Sequence, residues 1–333
     1  MLDDRFTEPR PETIAALRAC TGDVVVLGAG GKMGPSLTAM LARATQQLHD
    51  GRRVIAVSRW SDQNAERALK DLGVVTVRCD LLDRSAVATL PSAPNVIFMA
   101  GQKFGTSDHP SRTWAMNTIV PIHAAEHFAS ARIVAFSTGN VYPLVSVASG
   151  GSRETDPLGP IGEYAASCVA RERLFESYSE RNGTRVAVYR LNYAIDVRYG
   201  VLLDLARNVA AGVPIRLAMG YVNVIWQGDA NRIAIEALPL AASPPFVVNV
   251  TGPKPLSVRD LALRFGARLG RTPTFDGTEG TDALLSNTSL MNATFTAPRT
   301  SVEEMIELVA RAVETNAPTI GKPTHFEARD GRF

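Results

Sequence analysis

The chain has 333 residues, 45% hydrophobic and 20% charged, ordinary proportions for a globular protein long enough to bury a core within one two-lobed unit. Thirty-five Lys and Arg against 33 Asp and Glu leave a net charge of +2, which provides no basic surplus for nucleic acid, and no Lys/Arg block stands out. No run reaches the roughly 18 apolar residues a membrane span needs, and the acidic start MLDDRFTEPRPE lacks the apolar core of a signal peptide. Cys20, Cys79 and Cys168 are odd in number and widely spaced, the pattern of reduced thiols in a cytoplasmic protein and not of a disulfide frame or zinc ribbon. Only five lysines (32, 70, 103, 254 and 322) accompany thirty arginines, so the location of each lysine is informative.

Residues 1–21 read as a short helical leader that docks on the main body. Val24 to Gly34, VVVLGAGGKMG, then joins a β-branched strand to a helix over Pro35–Leu48 through a glycine-rich turn. Gly28, Gly31 and Gly34 have separate jobs there: a tight turn, close approach of backbone to a pyrophosphate, and close packing of helix on strand. The helix N-terminus offers N–H groups and partial positive charge to phosphates, with Lys32 and Met33 inside the turn. Val54–Val57 is a second strand, whose end meets the adenosine ribose in dinucleotide folds. Ser58 and Arg59 stand there in place of an acid. Arg59 can pair with a 2′-phosphate, which favours NADP over NAD, while Asp62 falls late and suits a helix cap.

Val74–Arg78 is a third strand, ending at Asp80-Leu81. Asp80 either accepts from the adenine amino group or serves as a turn acid. Asn95–Met99 is a fourth strand, and the small Ala100 and Gly101 let the chain pass beside a cofactor. Arg112–Phe128 is helical despite Pro121, which removes one hydrogen bond. Within it, His123-Ala-Ala-Glu126-His127 matches a zinc-protease pattern. Its position in a crossover helix points instead to histidines with ordinary partners, so no metal is expected. Ile133–Phe136 is a fifth strand running into SerThrGlyAsnValTyr (137–142). A helix opens near Glu163 and reaches about Arg181, followed by a strand at Val186–Leu191.

This alternation predicts an α/β fold, a doubly wound parallel sheet of the Rossmann type, with ligands beyond the strands' C-terminal ends. After residue 191 the rhythm loosens. Short strands at 215–217, 222–226 and 247–250 mix with helices at 229–238, 258–269 and 302–315, the last with Ser301 and Glu304 spaced as a capping box. The expected organisation is a leader (1–21), a dinucleotide-binding domain (22–190), a smaller mixed α/β substrate lobe (191–317) and a surface tail (318–333).

In order and spacing the chain from Asp23 to Thr315 resembles the extended short-chain dehydrogenase/reductases of the NAD-dependent epimerase/dehydratase type. The landmarks are Gly28-x-x-Gly31-x-x-Gly34, Asp80-Leu81, MetAlaGly at 99–101, Asn117, SerThrGlyAsnValTyr at 137–142, Tyr164, ArgLeuAsn at 190–192 and Val224–Asp229. The resemblance implies that Thr138 hydrogen-bonds the reacting oxygen and that Tyr164 is the acid/base that moves the proton while a nicotinamide moves the hydride. The family places a lysine four residues after that tyrosine; here stands Cys168. A cation ~6 Å from a phenolate at an effective dielectric of ~20 contributes about 3 kcal/mol, roughly two pKa units. A thiol supplies neither that charge nor an ammonium's donors.

Lys103, leaving the fourth strand, is the candidate substitute cation or a substrate ligand. Cys168 as a nucleophile has no cation evident beside it. Asn140, Asn192, Tyr193 and Trp226, with Asn223 and Gln227 beside them, are substrate-contact candidates by lobe position. The resemblance implies an NAD(P)-dependent oxidoreductase or epimerase acting on a sugar, sugar acid or similar polyol. The absent lysine keeps open a coenzyme-binding sensor or scaffold without hydride transfer, and a lyase, dehydratase or isomerase using the same pocket. A homodimer paired through the helices at 112–128 and 163–181 is also implied.

Overall fold

A computed structural model describes residues 4–106 and 108–331. The chain forms two compact units that interleave along the sequence. The first contains the chain up to Thr138, Glu163–Arg190 and Ala230–Val248; the second contains Gly139–Gly162, Leu191–Asp229 and the chain from Asn249 onward. Residues 139–162 and 230–248 therefore lie across the linear boundary expected at 190/191.

The first unit begins with helices α1 (Asp4–Thr7) and α2 (Pro11–Arg18). Strand and helix then alternate: β1 (Val24–Leu27), α3 (Gly34–Leu48), β2 (Val54–Ser58), α4 (Gln63–Asp71), β3 (Val75–Arg78), α5 (Arg84–Ala88), β4 (Asn95–Phe98), α6 (Pro110–His127), β5 (Arg132–Thr138), α7 (Gly162–Asn182) and β6 (Arg185–Leu191). With β7 (Phe246–Val250) these strands make one seven-stranded sheet in the order β7-β6-β5-β4-β1-β2-β3. The ladders β1·β2, β2·β3, β1·β4 and β4·β5 run parallel, with Val24 opposite both Val54 and Asn95. Every residue of β1 and β4 is buried, as helices on both faces of a parallel sheet require. The strand order reverses between β1 and β4, which opens a crevice at their C-terminal ends.

Several elements end where their chemistry dictates. Asp62 caps α4, accepting from the Asn64 and Ala65 amides at 3.0 and 3.1 Å, as its late position predicts. Asp83 does the same for α5, and Ser301 accepts from the Glu304 amide at 3.1 Å to open the helix Val302–Glu314. Between sheet and helices, Phe98 meets Phe175 edge to face with centroids 5.2 Å apart, inside a cluster that includes Val96, Ile133 and Val188.

Three features differ from the sequence pattern. The stretch 247–250 is an edge strand of the main sheet, not part of a separate lobe sheet. Residues 222–226 split into Tyr221–Val222, paired with Leu256–Ser257, and Ile225–Trp226, paired with Ala194–Ile195. The break falls at buried Asn223, whose Oδ1 accepts from the Ser286 amide at 3.0 Å. A helix at Val201–Ala211 buries Leu202, Leu203 and Leu205 in the second unit.

The C-terminal segment is tied down within that same unit. The Thr324 amide and hydroxyl both donate to Asp204 Oδ2, at 2.8 and 2.6 Å, and Arg329 donates to Ala218 O and Asp282 Oδ1. Phe326 is buried. A bare surface tail lacks such anchors.

Candidate functional site

The glycine turn is shaped by contacts that leave no room for side chains. Gly28 has φ +88°, in the left-handed region that favours glycine, and a Cβ there falls 2.7 Å from the Ala100 nitrogen. A Cβ on Gly34 runs into the Ala29 backbone. The Gly28 and Ala29 amides both donate to Val57 O, at 2.9 and 3.1 Å. Gly30, absent from the three-glycine pattern, packs so closely on Ser58 that a Cβ overlaps its hydroxyl. Gly31 is exposed and Lys32 half-buried. Met33 opens α3 with no side-chain cap; the Gly34 amide donates to Gly31 O at 3.2 Å, and Pro35 has no N–H to offer. Ser36 fixes that end by donating to Met33 O at 3.0 Å, and Asn231 donates to Ser36 Oγ at 2.9 Å. This cradle fits a pyrophosphate.

At the end of β2, Ser58 is half-buried and Arg59 exposed. Trp60 folds inward at φ +52° and donates from Nε1 to Val77 O at 3.0 Å. Arg78, at the end of β3, donates to Arg59 O at 2.5 Å. Two guanidinium-bearing residues thus share the edge of the crevice. Asp80 is exposed, and its Oδ1 accepts from the Leu82 amide at 3.1 Å, a turn role that leaves its other oxygen open. Leu81 is buried, and its carbonyl partners the His123 ring at 3.0 Å.

Beyond β4, two consecutive residues link this cradle to a second cluster. Ala100 touches Gly28, and Gly101 lies directly against Asn117 and the Arg171 guanidinium. Asn117, buried in α6, accepts at Oδ1 from the Gln102 amide (2.9 Å) and Arg171 Nη2 (2.5 Å), and donates to Gln102 O (3.1 Å) and Ser167 Oγ (2.9 Å). In the first turn of α7, the Tyr164 side chain is hydrogen-bonded to Thr138, the last residue of β5, and to Cys168. Lys103 Nζ lies 5.9 Å from the Tyr164 ring centroid.

Burial pushes the Tyr164 phenol above its ordinary value, helped by Cys168 and opposed by the Arg171 charge and the Thr138 hydrogen bond. Burial likewise raises the Cys168 thiol, which is therefore neutral near pH 7 and a poor nucleophile. Arg171 and Glu172 carry no family landmark, so pattern reading passes over them, although Glu172's partner Arg190 opens the ArgLeuAsn landmark. Their signal is a long charged pair on the inward face of α7.

The NAD-dependent epimerase/dehydratase family model matches residues 24–217, more than half of the chain. The chain belongs to this family. Among solved structures, Pal from Bacillus thuringiensis is 18% identical with a TM-score of 0.72, over 88% of this chain and 99% of its own. DesIV, a dTDP-glucose 4,6-dehydratase from Streptomyces venezuelae with NAD and TYD bound, is 17% identical with a TM-score of 0.72, over 88% and 97%. The Thermus thermophilus UDP-glucose 4-epimerase complexed with NAD is 20% identical with a TM-score of 0.69, over 88% and 99%. At these identities the likeness carries the fold alone. No curated protein matches the chain.

This epimerase/dehydratase-family member keeps its other expected site residues in the second unit, where most have internal partners. Asn192 is 2% exposed, and its side chain donates to Leu284 O at 3.4 Å. Trp226 is also 2% exposed and sits opposite Ile195. Tyr193 adopts φ +45°, and its carbonyl accepts from the Ile225 amide at 3.2 Å. Asn140 is half-buried. In α6 the HxxEH histidines have carbonyl partners, His123 with Leu81 O and His127 with Leu90 O, and Glu126 pairs with Arg84. Among the described residues, no helix is long and apolar enough to cross a membrane.

Proposed function

We propose that this family member is an NAD(P)-dependent oxidoreductase or epimerase acting on a sugar, sugar acid or similar polyol. The observation that carries the reading is the Ala100-Gly101 link, which joins the glycine cradle to the helix bearing Tyr164. A bound nicotinamide coenzyme supplies the hydride acceptor or donor. Thr138 holds the substrate oxygen, and Tyr164 takes or gives the proton at its phenolic oxygen. Lys103, its Nζ 5.9 Å from the Tyr164 ring centroid, binds substrate or favours the anionic phenol in this reading. The exposed Arg59 at the ribose end favours NADP. The exposed Trp114 and Ile119 of α6 support a homodimer paired through α6 and α7.

A second reading, coenzyme binding without hydride transfer, is favoured by neutral Cys168 at the lysine position. Fluorescence titration with NADPH and NADH tests the cradle; binding of neither removes both readings. Reduced-nicotinamide absorbance with a panel of sugars, uronates and aldonates then separates turnover from binding. Turnover unchanged in Lys103→Ala removes Lys103 from the mechanism, and a sedimentation mass of one chain removes the dimer.

A further inference from the structure

We infer that Arg171 is the relocated counterpart of the missing lysine: its guanidinium, entering one helical turn beyond position 168, provides the fixed positive charge that poises Tyr164. This rests on the reading of Tyr164 as the acid/base.

Positions 164, 168 and 171 follow i, i+4, i+7 spacing and share one face of α7. A cysteine at 168 frees the volume a lysine stem fills, and the bare Gly101 opposite leaves space that any Cβ would close. Into this space runs the Arg171 side chain. Its Nη1 donates to Phe136 O at 2.8 Å, its Nη2 to Asn117 Oδ1 at 2.5 Å, and its Cζ stands 5.9 Å from the Phe98 ring centroid. Phe136 lies two residues before Thr138 on β5, so the cation is pinned to the strand that carries Tyr164's partner.

The charge is not cancelled locally. Both acceptors are neutral, and Nε is buried without a partner. Arg171 is 6% exposed, and a buried charge without a counter-ion acts strongly on what it faces. Glu172, its neighbour in sequence, is occupied by Arg190 and Ser137. Among the described residues, the titratable and polar groups that act on the Tyr164 phenol and ring are Thr138 from β5, Cys168 and Arg171 from α7, and Lys103 from the segment after β4. Of the effects that favour the phenolate, the Arg171 charge comes first and the Thr138 hydrogen bond second. A lysine half-buried above the ring face is a looser fit to the role than a guanidinium fixed by two hydrogen bonds.

The test uses the full chain with 3,5-difluorotyrosine at position 164, whose more acidic phenol titrates within the working pH range, read by fluorine NMR without coenzyme. Arg171→Gln keeps a donor toward Phe136 O and Asn117 but removes the charge; Arg171→Met removes both. Each raises the phenol's apparent pKa by about 1 unit or more, and adding Cys168→Lys to either returns it toward the wild-type value. A shift below about 0.3 unit in a variant of unchanged circular dichroism overturns the inference, as does failure of Cys168→Lys to reverse the shift. Should both single variants fail to fold, the same titration is read from Arg171→Lys, where a shift as large as removal of the charge implies overturns it and near-retention of the wild-type value supports it. Absence of NADPH binding counts against the reading of function above and leaves this titration intact.

Discussion

Arg190 grips Glu172 with two donors, Nε to Oε1 at 3.0 Å and Nη2 to Oε2 at 2.7 Å, and each side chain is 7% exposed. Ser137 donates to the same carboxylate at 2.5 Å. The end of β5, where Thr138 follows Ser137, is thereby bound to α7 two turns beyond Tyr164. A buried pair of this kind need not add net stability, but removing one partner strands a charge. Arg190→Met is expected to cost about 3–5 kcal/mol in urea unfolding, and Arg190→Met with Glu172→Gln to recover part of it. A single-variant loss below about 1 kcal/mol would mean that water reaches the pair.

The ribose end carries a second expectation. Arg59 is exposed, and its carbonyl is held by Arg78, so the Arg59 side chain itself is not needed to keep the turn in place. A charge-assisted hydrogen bond to a 2′-phosphate contributes about 1.5–3 kcal/mol, so Arg59→Ser should weaken NADPH binding roughly 10- to 100-fold while NADH changes less than about twofold. Equal losses for both coenzymes in fluorescence titration would show that Arg59 supports the turn instead.

Much of this fold is legible in local chemistry. Buried parallel strands must be continuous apolar runs, and β1, β2, β4 and β5 are such runs. Asp62 and Ser301 announce helix starts because their short side chains can cap free amides. What local pattern does not encode is which strand a distant segment joins, and so 247–250 reads as a lobe strand although it edges the main sheet. The site divides in the same way. Gly28, Gly34, Thr138 and Tyr164 follow from a turn, a strand end and a helix start. Arg171 does not, because its role depends on Gly101, Asn117 and Phe136, which come from three other elements. Asn192 and Trp226 lie in the expected stretch and are each 2% exposed, a burial that lobe position in the sequence does not encode.

Tyr164 sets a pH dependence whose direction is fixed by its surroundings. Burial raises the phenol above its ordinary value of about 10, so the phenolate needed to accept a substrate proton is scarce at pH 7 and grows tenfold per pH unit. Oxidation should therefore rise with a slope near +1 in log kcat/KM from about pH 6 to at least about pH 10. Tyr164→Phe should lower turnover by about 10²- to 10⁴-fold with coenzyme binding nearly unchanged. A plateau below about pH 8 would assign the limiting proton transfer to another group.

The C-terminal segment gives a test of opposite sign on stability. Burial is the largest influence on Asp204 and raises its carboxyl above the ordinary value, with the Thr324 hydrogen bonds pulling the other way. A carboxyl whose folded pKa lies above its unfolded one binds its proton more tightly when folded. Its contribution to stability is therefore fully present below the unfolded pKa of about 3.9 and is lost as pH rises through the folded value. At pH 7 the carboxylate keeps its two Thr324 bonds but bears an unfavourable buried charge. Asp204→Asn preserves an acceptor for the Thr324 amide and hydroxyl and removes that charge. The Thr324 amide should then exchange more slowly with solvent in the variant at pH 7, and the advantage should shrink as pH falls through the raised folded value and wild-type Asp204 also takes up its proton. Faster exchange in Asp204→Asn at pH 7 would mean that the charge-assisted bonds to Thr324 outweigh the cost of burying the carboxylate.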